Sequence, residues 1–218
     1  MTKAYVLLSG CGSRDGSEIH EATLSLLALD QHHVAVQCIA PDILQTRVFD
    51  HYKGAPESSS RRALVEAARI ARGNIIPLDM ASVADADLLV IPGGLGAVTT
   101  LCTYFEHKEQ ATILPEVQAL IKAFYDAKKP IVAICISPVL VALTFKNTVP
   151  IKLTLGTTPA LLSFLQSMGM EPISCTSDTC VTDTTHRIIS TPAYNEPVSI
   201  ATVWKGIQGA IDAALSLI

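Results

Sequence analysis

Cys135 stands in a sequence setting that suits a catalytic nucleophile. It ends the apolar run of residues 131–134 and precedes Ser137 and Pro138, residue types favoured at the N-cap and first position of a helix. A thiol between a strand and a helix would lie at the helix N-terminus, where we expect the helix dipole to lower its pKa. The small residues Ala133 and Ser137 leave room for a strand-turn-helix elbow like that of the G-x-S-x-G hydrolases. The alternative is a buried cysteine that ends a hydrophobic strand.

A glycine-rich loop follows a second apolar run. Residues 92–96 read Pro-Gly-Gly-Leu-Gly and come directly after the apolar residues 88–91. Glycines at such a place let the backbone approach a substrate closely, and the N–H groups of Gly93 and Gly94 are candidates to bind an oxyanion. The alternative is a tight turn between a strand and a helix.

Two acids at the start of the first amphipathic segment are candidates for proton transfer. Glu18 and Glu21 are three residues apart, so on a helix they share a face that can point toward the Cys135 loop. The alternative is that their charges complement the helix dipole. His20, between them, is interpreted as a surface or capping histidine. No set of His, Asp, Glu and Cys has the spacing of a metal site, so we expect no metal.

The first loop has an imperfect dinucleotide-binding pattern. Gly10, Gly12 and Gly16 lie between a predicted strand and a predicted helix, as in the G-x-G-x-x-G fingerprint. The last interval is one residue too long, and Arg14-Asp15 places charges in a turn that should be compact. The acidic residue expected about 20 positions further on is also missing. We therefore expect no cofactor, and a nucleotide-binding oxidoreductase is a minor alternative.

Composition excludes several classes of protein. The chain has 218 residues, of which 49% are hydrophobic and 17% charged, and its formal charge is −4. Without a dense Lys/Arg cluster we expect no binding of nucleic acid. No apolar run reaches the roughly 20 residues of a membrane helix, and the run at residues 4–8 is too short for a signal peptide. The six cysteines include no C-x-x-C pair. We expect a soluble, unprocessed, cytoplasmic protein whose cysteines are mostly small buried residues.

Short apolar runs alternate with amphipathic segments, which predicts one α/β domain over residues 1–218. Such a pattern is typical of βαβ units and of a mostly parallel sheet with helices on both faces, a three-layer doubly wound sandwich. Ligands bind at the carboxyl ends of the strands in these folds. We predict strands at 5–9, 34–40, 88–91 and 131–135, helices at 18–30, 61–71, 113–127, 159–168 and 195–218, and a small β-hairpin near the C-terminus from 181–183 and 187–190.

Five segments together resemble the ElbB proteins, a branch of the ThiJ/PfpI superfamily with the class I glutamine amidotransferase-like fold. This resemblance spans nearly the whole chain and implies a flavodoxin-like sandwich. The segments are 9–22 (SGCGSRDGSEIHEA), 40–42 (APD), 66–73 (EAARIARG), 92–97 (PGGLGA) and 191–194 (TPAY).

The resemblance also implies a site. Cys135 corresponds to the superfamily's nucleophilic cysteine, and Glu21 to the glutamate hydrogen-bonded to it, with Glu18 a close second. Backbone N–H groups around Gly94 and Ile136 would be the oxyanion donors, and Gly93 and Gly12 are further candidates for substrate binding. ElbB-like proteins are described as glyoxalases that use neither metal nor glutathione, and a homodimer is the family habit.

One departure from the superfamily narrows the activity. Peptidase-like and amidotransferase-like relatives carry a histidine just after the cysteine or on a later strand, whereas position 136 is Ile and residues 155–159 contain no histidine. We therefore expect a glyoxalase that acts on a small aldehyde or dicarbonyl compound, such as glyoxal or methylglyoxal. The alternative is a non-catalytic protein that senses oxidants through Cys135 or binds partners.

Overall fold

Seven strands form one central, mostly parallel sheet in the computed structural model, which describes residues 1–218. The strands in chain order are β1 (Lys3–Leu7), β2 (Ala35–Ala40), β3 (Phe49–Asp50), β4 (Ala55–Pro56), β5 (Ile75–Pro77), β6 (Leu88–Ile91), β7 (Ile131–Ile134), β8 (Lys152–Leu153), β9 (Glu171–Pro172), β10 (Val181–Asp183) and β11 (Ile188–Thr191). The central order is β10-β11-β7-β6-β1-β2-β5, and β10–β11 is its single antiparallel pair. This pair confirms the predicted C-terminal hairpin.

Helices cover both faces of the sheet. They are α1 (Ile19–Gln31), α2 (Ala63–Ile70), α3 (Gly96–Thr99), α4 (Tyr104–His107), α5 (Pro115–Asp126), α6 (Pro138–Thr144), α7 (Pro159–Ser167) and α8 (Ile200–Leu215). Residues of α1, α2 and α8 form the core on one face, and residues of α3 to α7 form the core on the other. The predicted three-layer α/β sandwich is therefore confirmed. No helix combines the length and the apolar character needed to cross a membrane.

The central strands are buried on both sides, which explains why they read as continuous apolar runs. In β1, Tyr5 and Leu7 pack toward α5, whereas Ala4 and Val6 pack toward α1 and α8. The same alternation of successive residues holds in β6 and β7. A single strand thus contributes to two cores, and the sheet is held rigidly between them.

The last helix begins at Ile200, five residues later than the start predicted from the sequence at position 195. Ser199 is its N-cap, and the Ser199 side chain accepts a hydrogen bond from the N–H of Thr202 at 3.2 Å. Residues Ala193–Asn195 instead form a separate 3₁₀ turn before Pro197. Proline after this turn disfavours helix there, and the turn leaves Asn195 free to face another loop.

Sequence patterns missed the shortest strands. The edge strand β5 contains Pro77 and pairs only with β2, and the β3–β4 hairpin has two residues in each strand. Runs this short carry no periodicity that could reveal them.

The strand order brings together the loops that matter for chemistry. β1, β6, β7 and β11 are neighbours in the sheet, with β6 and β7 paired in parallel. Their carboxyl ends therefore lie at one edge, and the loops that leave these ends meet there.

Candidate active site

Cys135 lies on a sharp elbow between β7 and α6. Its backbone angle φ is +60°, in the left-handed region that residues other than glycine rarely adopt. The N–H of Cys135 donates to the carbonyl of Thr191 at 2.9 Å, and the N–H of Ser137 donates to the carbonyl of Ile134 at 3.0 Å. These bonds hold the strained residue in place, as strained residues at functional sites require. The predicted strand-turn-helix elbow is present.

Ser137 and Pro138 occupy the predicted N-cap and first helical positions, but Ser137 does not cap the helix. Its hydroxyl donates to the carbonyl of Pro92 at 2.6 Å. This bond fastens the Cys135 elbow to the glycine-rich loop after β6. All residues of α6 are buried, so the elbow rests on a packed helix.

Glu21 lies directly beside the thiol. Its carboxyl is fully buried and in contact with Cys135, and it accepts from the N–H of Gly93 at 2.9 Å and from the N–H of Tyr194 at 3.3 Å. A Cβ on Gly93 would lie 2.4 Å from the Cβ of Cys135 and 2.7 Å from Glu21 Oε2. Only glycine therefore allows the thiol and the carboxyl to meet across this loop.

Burial raises the pKa of both groups in this pair. Burial raises the pKa of Glu21 to about 8, and the charge of Glu18 adds to the rise. The hydrogen bonds that the carboxyl accepts oppose it. Burial, and next the charge of Glu21, raise the pKa of Cys135 well above its ordinary value, against the N–H groups of Gly94 and Ile136 that face the sulfur. At neutral pH the pair therefore holds at most one negative charge.

The expected lowering of the Cys135 pKa is wrong. The thiol is at the N-terminus of a helix, as predicted, but that helix has seven residues and the cysteine is only 7% exposed. Removal from water and the adjacent carboxyl outweigh the helix dipole, which acts favourably only over a short range.

Asn195 is a site residue that the sequence did not reveal. The thiol of Cys135 donates to Asn195 Oδ1 at 3.2 Å. The amide Nδ2 donates to the carbonyls of Cys135 at 2.5 Å and Leu155 at 3.2 Å, which fixes the amide oxygen toward the sulfur. Position 195 was expected inside a helix. The signal that could have found it is its place directly after the segment 191–194.

The thiol opens into a cavity of about 260 Å³. The wall includes four of the predicted site residues, Cys135, Glu18, Gly94 and Ile136. Glu21 lies behind the thiol and Gly93 beside it, and neither lines the cavity. The nine lining residues are Ser13, Arg14, Glu18, Gly94, Leu95, Cys135, Ile136, Tyr194 and Asn195.

Gly12 does not reach the cavity. Its N–H donates to the carbonyl of Ser17 at 2.8 Å, and a Cβ on it would lie 2.5 Å from Asp15 Oδ1. The glycine loop is thus closed on itself around the buried Asp15 side chain. Gly12 shapes this turn, and the structure does not place it where a substrate would bind.

Glu18 is the N-cap of α1, and this placement separates the roles of the two acids. Its carboxylate accepts from the N–H of Glu21 at 2.8 Å, and its own N–H donates to the carbonyl of Gly93 at 2.9 Å. The pyrophosphate of a dinucleotide would bind at this helix N-terminus, where it would meet the Glu18 charge. The nucleotide alternative therefore gains no support.

No cluster of three or more His, Cys, Asp or Glu side chains is placed to hold a metal ion.

His20 and Tyr194 meet at the cavity wall. His20 Nδ1 and the Tyr194 hydroxyl are 2.9 Å apart, although the residues are separated by 174 positions. His20 is exposed, as predicted, and its ring contacts the hydroxyl of a tyrosine that lines the cavity.

Curated proteins of three vertebrates are similar to the chain over most of its length. The rat "ES1 protein homolog, mitochondrial" is 35% identical over 99% of this chain and 84% of its own length. The human "Glutamine amidotransferase-like class 1 domain-containing protein 3, mitochondrial" is 34% identical over 99% and 83%. The zebrafish "ES1 protein, mitochondrial" is 28% identical over 88% and 77%. No family model matches the chain.

Solved structures share the fold. The crystal structure of an isoprenoid biosynthesis protein with an amidotransferase-like domain from Ehrlichia chaffeensis has a TM-score of 0.94, with 38% identity over 100% of this chain and 99% of that chain. Drosophila melanogaster DJ-1beta has a TM-score of 0.57, with 16% identity over 99% and 90%, and shows the fold alone. The DJ-1/ThiJ/PfpI class of fold is thereby confirmed.

The expected cytoplasmic location is wrong. All three curated relatives carry a mitochondrial location in their names. The expectation rested on the missing secretory signal and on cysteine usage. Neither feature distinguishes the cytosol from other compartments.

Proposed function

Since the chain belongs to the family of ES1 and class I glutamine amidotransferase-like proteins, we propose that it is an enzyme in which Cys135 acts on small dicarbonyl compounds. The proposed reaction is that of a glyoxalase that needs neither glutathione nor metal, as in the ElbB branch. It converts glyoxal to glycolate or methylglyoxal to lactate.

The observation that carries this proposal is the thiol–carboxyl pair at the foot of the cavity. Cys135 is in contact with Glu21, and the N–H groups of Gly94 and Ile136 face its sulfur. A glyoxalase needs a nucleophile for an aldehyde, a group that moves a proton between adjacent carbons, and donors for the oxyanion. The sulfur has Asn195 and Glu21 as side-chain partners rather than a histidine, so the Cys–His chemistry of peptidases and glutaminases lacks its base.

The reaction balances without an oxidant. The Cys135 sulfur adds to the aldehyde carbon, and the thiol proton goes to the aldehyde oxygen, which gives a hemithioacetal. A carboxylate then removes the proton from that carbon, and the electron pair forms an enediolate. Return of the proton to the neighbouring carbon gives a thioester. Water cleaves the thioester, which releases the 2-hydroxy acid and restores the thiol.

Glu21 is the proposed acid and base. A general acid–base group works best with a pKa near the operating pH, and burial raises the pKa of Glu21 to about 8. Glu21 contacts the sulfur itself, so a substrate carbon bonded to that sulfur is one bond away from an atom that Glu21 touches. Glu18 is the alternative because it lines the cavity, but its carboxylate is already engaged by the N–H of Glu21.

Turnover by the purified protein tests the proposal. We expect glycolate from glyoxal and lactate from methylglyoxal without added glutathione or metal, identified as products because both substrates also react slowly with protein side chains. Cys135→Ala should abolish product formation. Glu21→Gln should lower it by about 10²- to 10⁴-fold, and Glu18→Gln should lower it less.

A cysteine outside the cavity provides the matched control. Cys175 is half-buried and hydrogen-bonded to Thr179, so Cys175→Ala should leave turnover unchanged. If wild type and Cys135→Ala form product at the same rate, the proposed function is wrong for these substrates.

The burial and the raised pKa of Cys135 argue against the oxidant-sensor alternative. Sensor cysteines have a low pKa and are accessible, whereas Cys135 has a raised pKa and is buried.

A further inference from the structure

Arg14 is the only cation in the wall of the Cys135 cavity. Its guanidinium carbon lies 5.7 Å from the centroid of the Phe49 ring, within the range of a cation–π contact. No acidic side chain forms an ion pair with it. The Arg14 side chain is exposed, so its charge is available to a ligand in the cavity.

Arg47 lies against the same aromatic ring. Its guanidinium carbon is 5.1 Å from the centroid of Phe49 and 5.4 Å from that of Phe105. Like Arg14, it has no ion pair. Its Nε is buried and has no hydrogen-bond partner. A buried N–H on a charged group without an acceptor is costly, and an anionic oxygen is the partner that satisfies it best.

The Phe49 ring holds the two guanidinium groups in place. Phe49 is buried, and its N–H donates to Asp15 Oδ2 at 2.9 Å. Both cations contact this one fixed ring, and Arg14 is the one of them that lines the cavity. We call Arg14 and Arg47 the arginine pair.

Asp15 and Glu18 are the carboxylates closest to Arg14 in the sequence, and each accepts a backbone hydrogen bond, Asp15 from the N–H of Phe49 and Glu18 from the N–H of Glu21. Asp15 is buried, and its Oδ1 lies 3.9 Å from His51 Nε2 without a hydrogen-bond partner. Glu18 caps the N-terminus of α1, whose positive end offsets its charge. The exposed guanidinium of Arg14 therefore remains as the group in the cavity wall that favours an anion.

We propose that the substrate of Cys135 carries an anionic group, a carboxylate or phosphate, that binds to Arg14, the cavity-lining member of the arginine pair, while the aldehyde reaches the thiol. This inference rests on the proposed function and narrows it to 2-oxoaldehydes with an anionic tail. A cavity of about 260 Å³ has room for about nine non-hydrogen atoms if each takes the volume of a water molecule, about 30 Å³. Guanidinium groups bind carboxylate and phosphate in the same planar, two-pronged way.

Two matched substrates test the inference. 4,5-Dioxopentanoate is a 2-oxoaldehyde of nine non-hydrogen atoms with a terminal carboxylate, and its methyl ester has the same reactive carbonyls without the charge. We expect wild type to favour the acid about two- to fivefold in kcat/KM, as for an ion pair with an exposed arginine. Arg14→Gln should bring the ratio of acid to ester close to one, and Arg47→Gln should lower it in part.

Lys122→Gln is the control for the loss of one positive charge. Lys122 is exposed on α5, outside the cavity wall, so this variant should keep the wild-type ratio. A ratio near one in the wild type, or an Arg14→Gln ratio equal to that of the wild type, would overturn the inference.

Binding of the product separates this inference from the proposed function. If neither substrate is turned over faster by wild type than by Cys135→Ala, the proposed function fails, and calorimetric titration with 2-hydroxyglutarate then decides the inference. Binding that persists in Cys135→Ala and is lost in Arg14→Gln supports an anion site at the arginine pair. No binding to the wild type, or equal binding to Arg14→Gln, overturns it.

Discussion

Replacing Glu21 with Gln should make stability less dependent on pH. Glu21 is fully buried, and burial raises its pKa from 4.5 to about 8. Below pH 4.5 the carboxyl holds its proton in both the folded and the unfolded chain. As the pH rises toward 8, the unfolded chain loses this proton while the folded chain keeps it. The contribution of Glu21 to stability is therefore present at low pH and lost as the pH rises through about 8.

The size of the effect follows from the same two pKa values. Between 4.5 and about 8, each pH unit removes about 1.4 kcal/mol of stability from the wild type through this group. The whole interval corresponds to about 5 kcal/mol, a large part of the stability of an ordinary domain. Gln has no proton to lose, so Glu21→Gln should gain this amount relative to wild type from low to high pH.

Urea denaturation from pH 4.5 to 8.5 measures the difference in free energy of unfolding between variant and wild type. The comparison is repeated in a Cys135→Ala background, where the thiol cannot titrate. The interaction with Cys135 lowers the pKa of Glu21, so Cys135→Ala should leave that pKa raised. In this background, too, Glu21→Gln should gain stability relative to its parent as the pH rises. Glu116→Gln, which removes an exposed carboxylate on α5, controls for the loss of a negative charge.

A difference that stays flat from pH 4.5 to 8, or that falls, would refute the reasoning. It would mean that Glu21 ionises as readily in the folded chain as in the unfolded one. The carboxyl would then be in contact with water, and its proposed role as a proton carrier with a pKa near neutrality would lose its basis.

Three further substitutions test other parts of the site. Gly93→Ala should lower the free energy of unfolding by about 1–3 kcal/mol, because its Cβ would overlap Cys135. Gly209→Ala is the control: its Cβ would meet nothing within 4 Å, so it should stabilise α8 slightly. Equal melting temperatures of the two variants would contradict this. Asn195→Ala should raise the rate of Cys135 alkylation by iodoacetamide at pH 8, because the amide oxygen that accepts the thiol proton disfavours the thiolate; a slower rate would contradict this. Tyr194→Phe should lower kcat/KM for methylglyoxal about tenfold by removing a hydroxyl from the cavity wall, and unchanged kinetics would give that hydroxyl a structural role only.

Strong local signals allowed most of the fold to be predicted. The strands at 5–9, 34–40, 88–91 and 131–135 are found within one or two residues, because strands buried on both faces must be apolar throughout. The predicted helix at position 195 was wrong because Pro197 disfavours helix in this segment, and Asn195 instead contacts the Cys135 loop. The single domain, the homodimer and the roles of individual site residues stay predictions.

The sequence by itself determined which residues could do the chemistry and where the chain would turn. Cys135 between a strand and a helix, glycines after β6 and acids at the start of α1 are features of local sequence, and local geometry follows from them. Tertiary structure alone decided which acid meets the thiol, because Glu21 and Cys135 approach through Gly93 across three loops. It also decided that the thiol pKa rises, since desolvation depends on everything packed around a group and not on its neighbours in the chain.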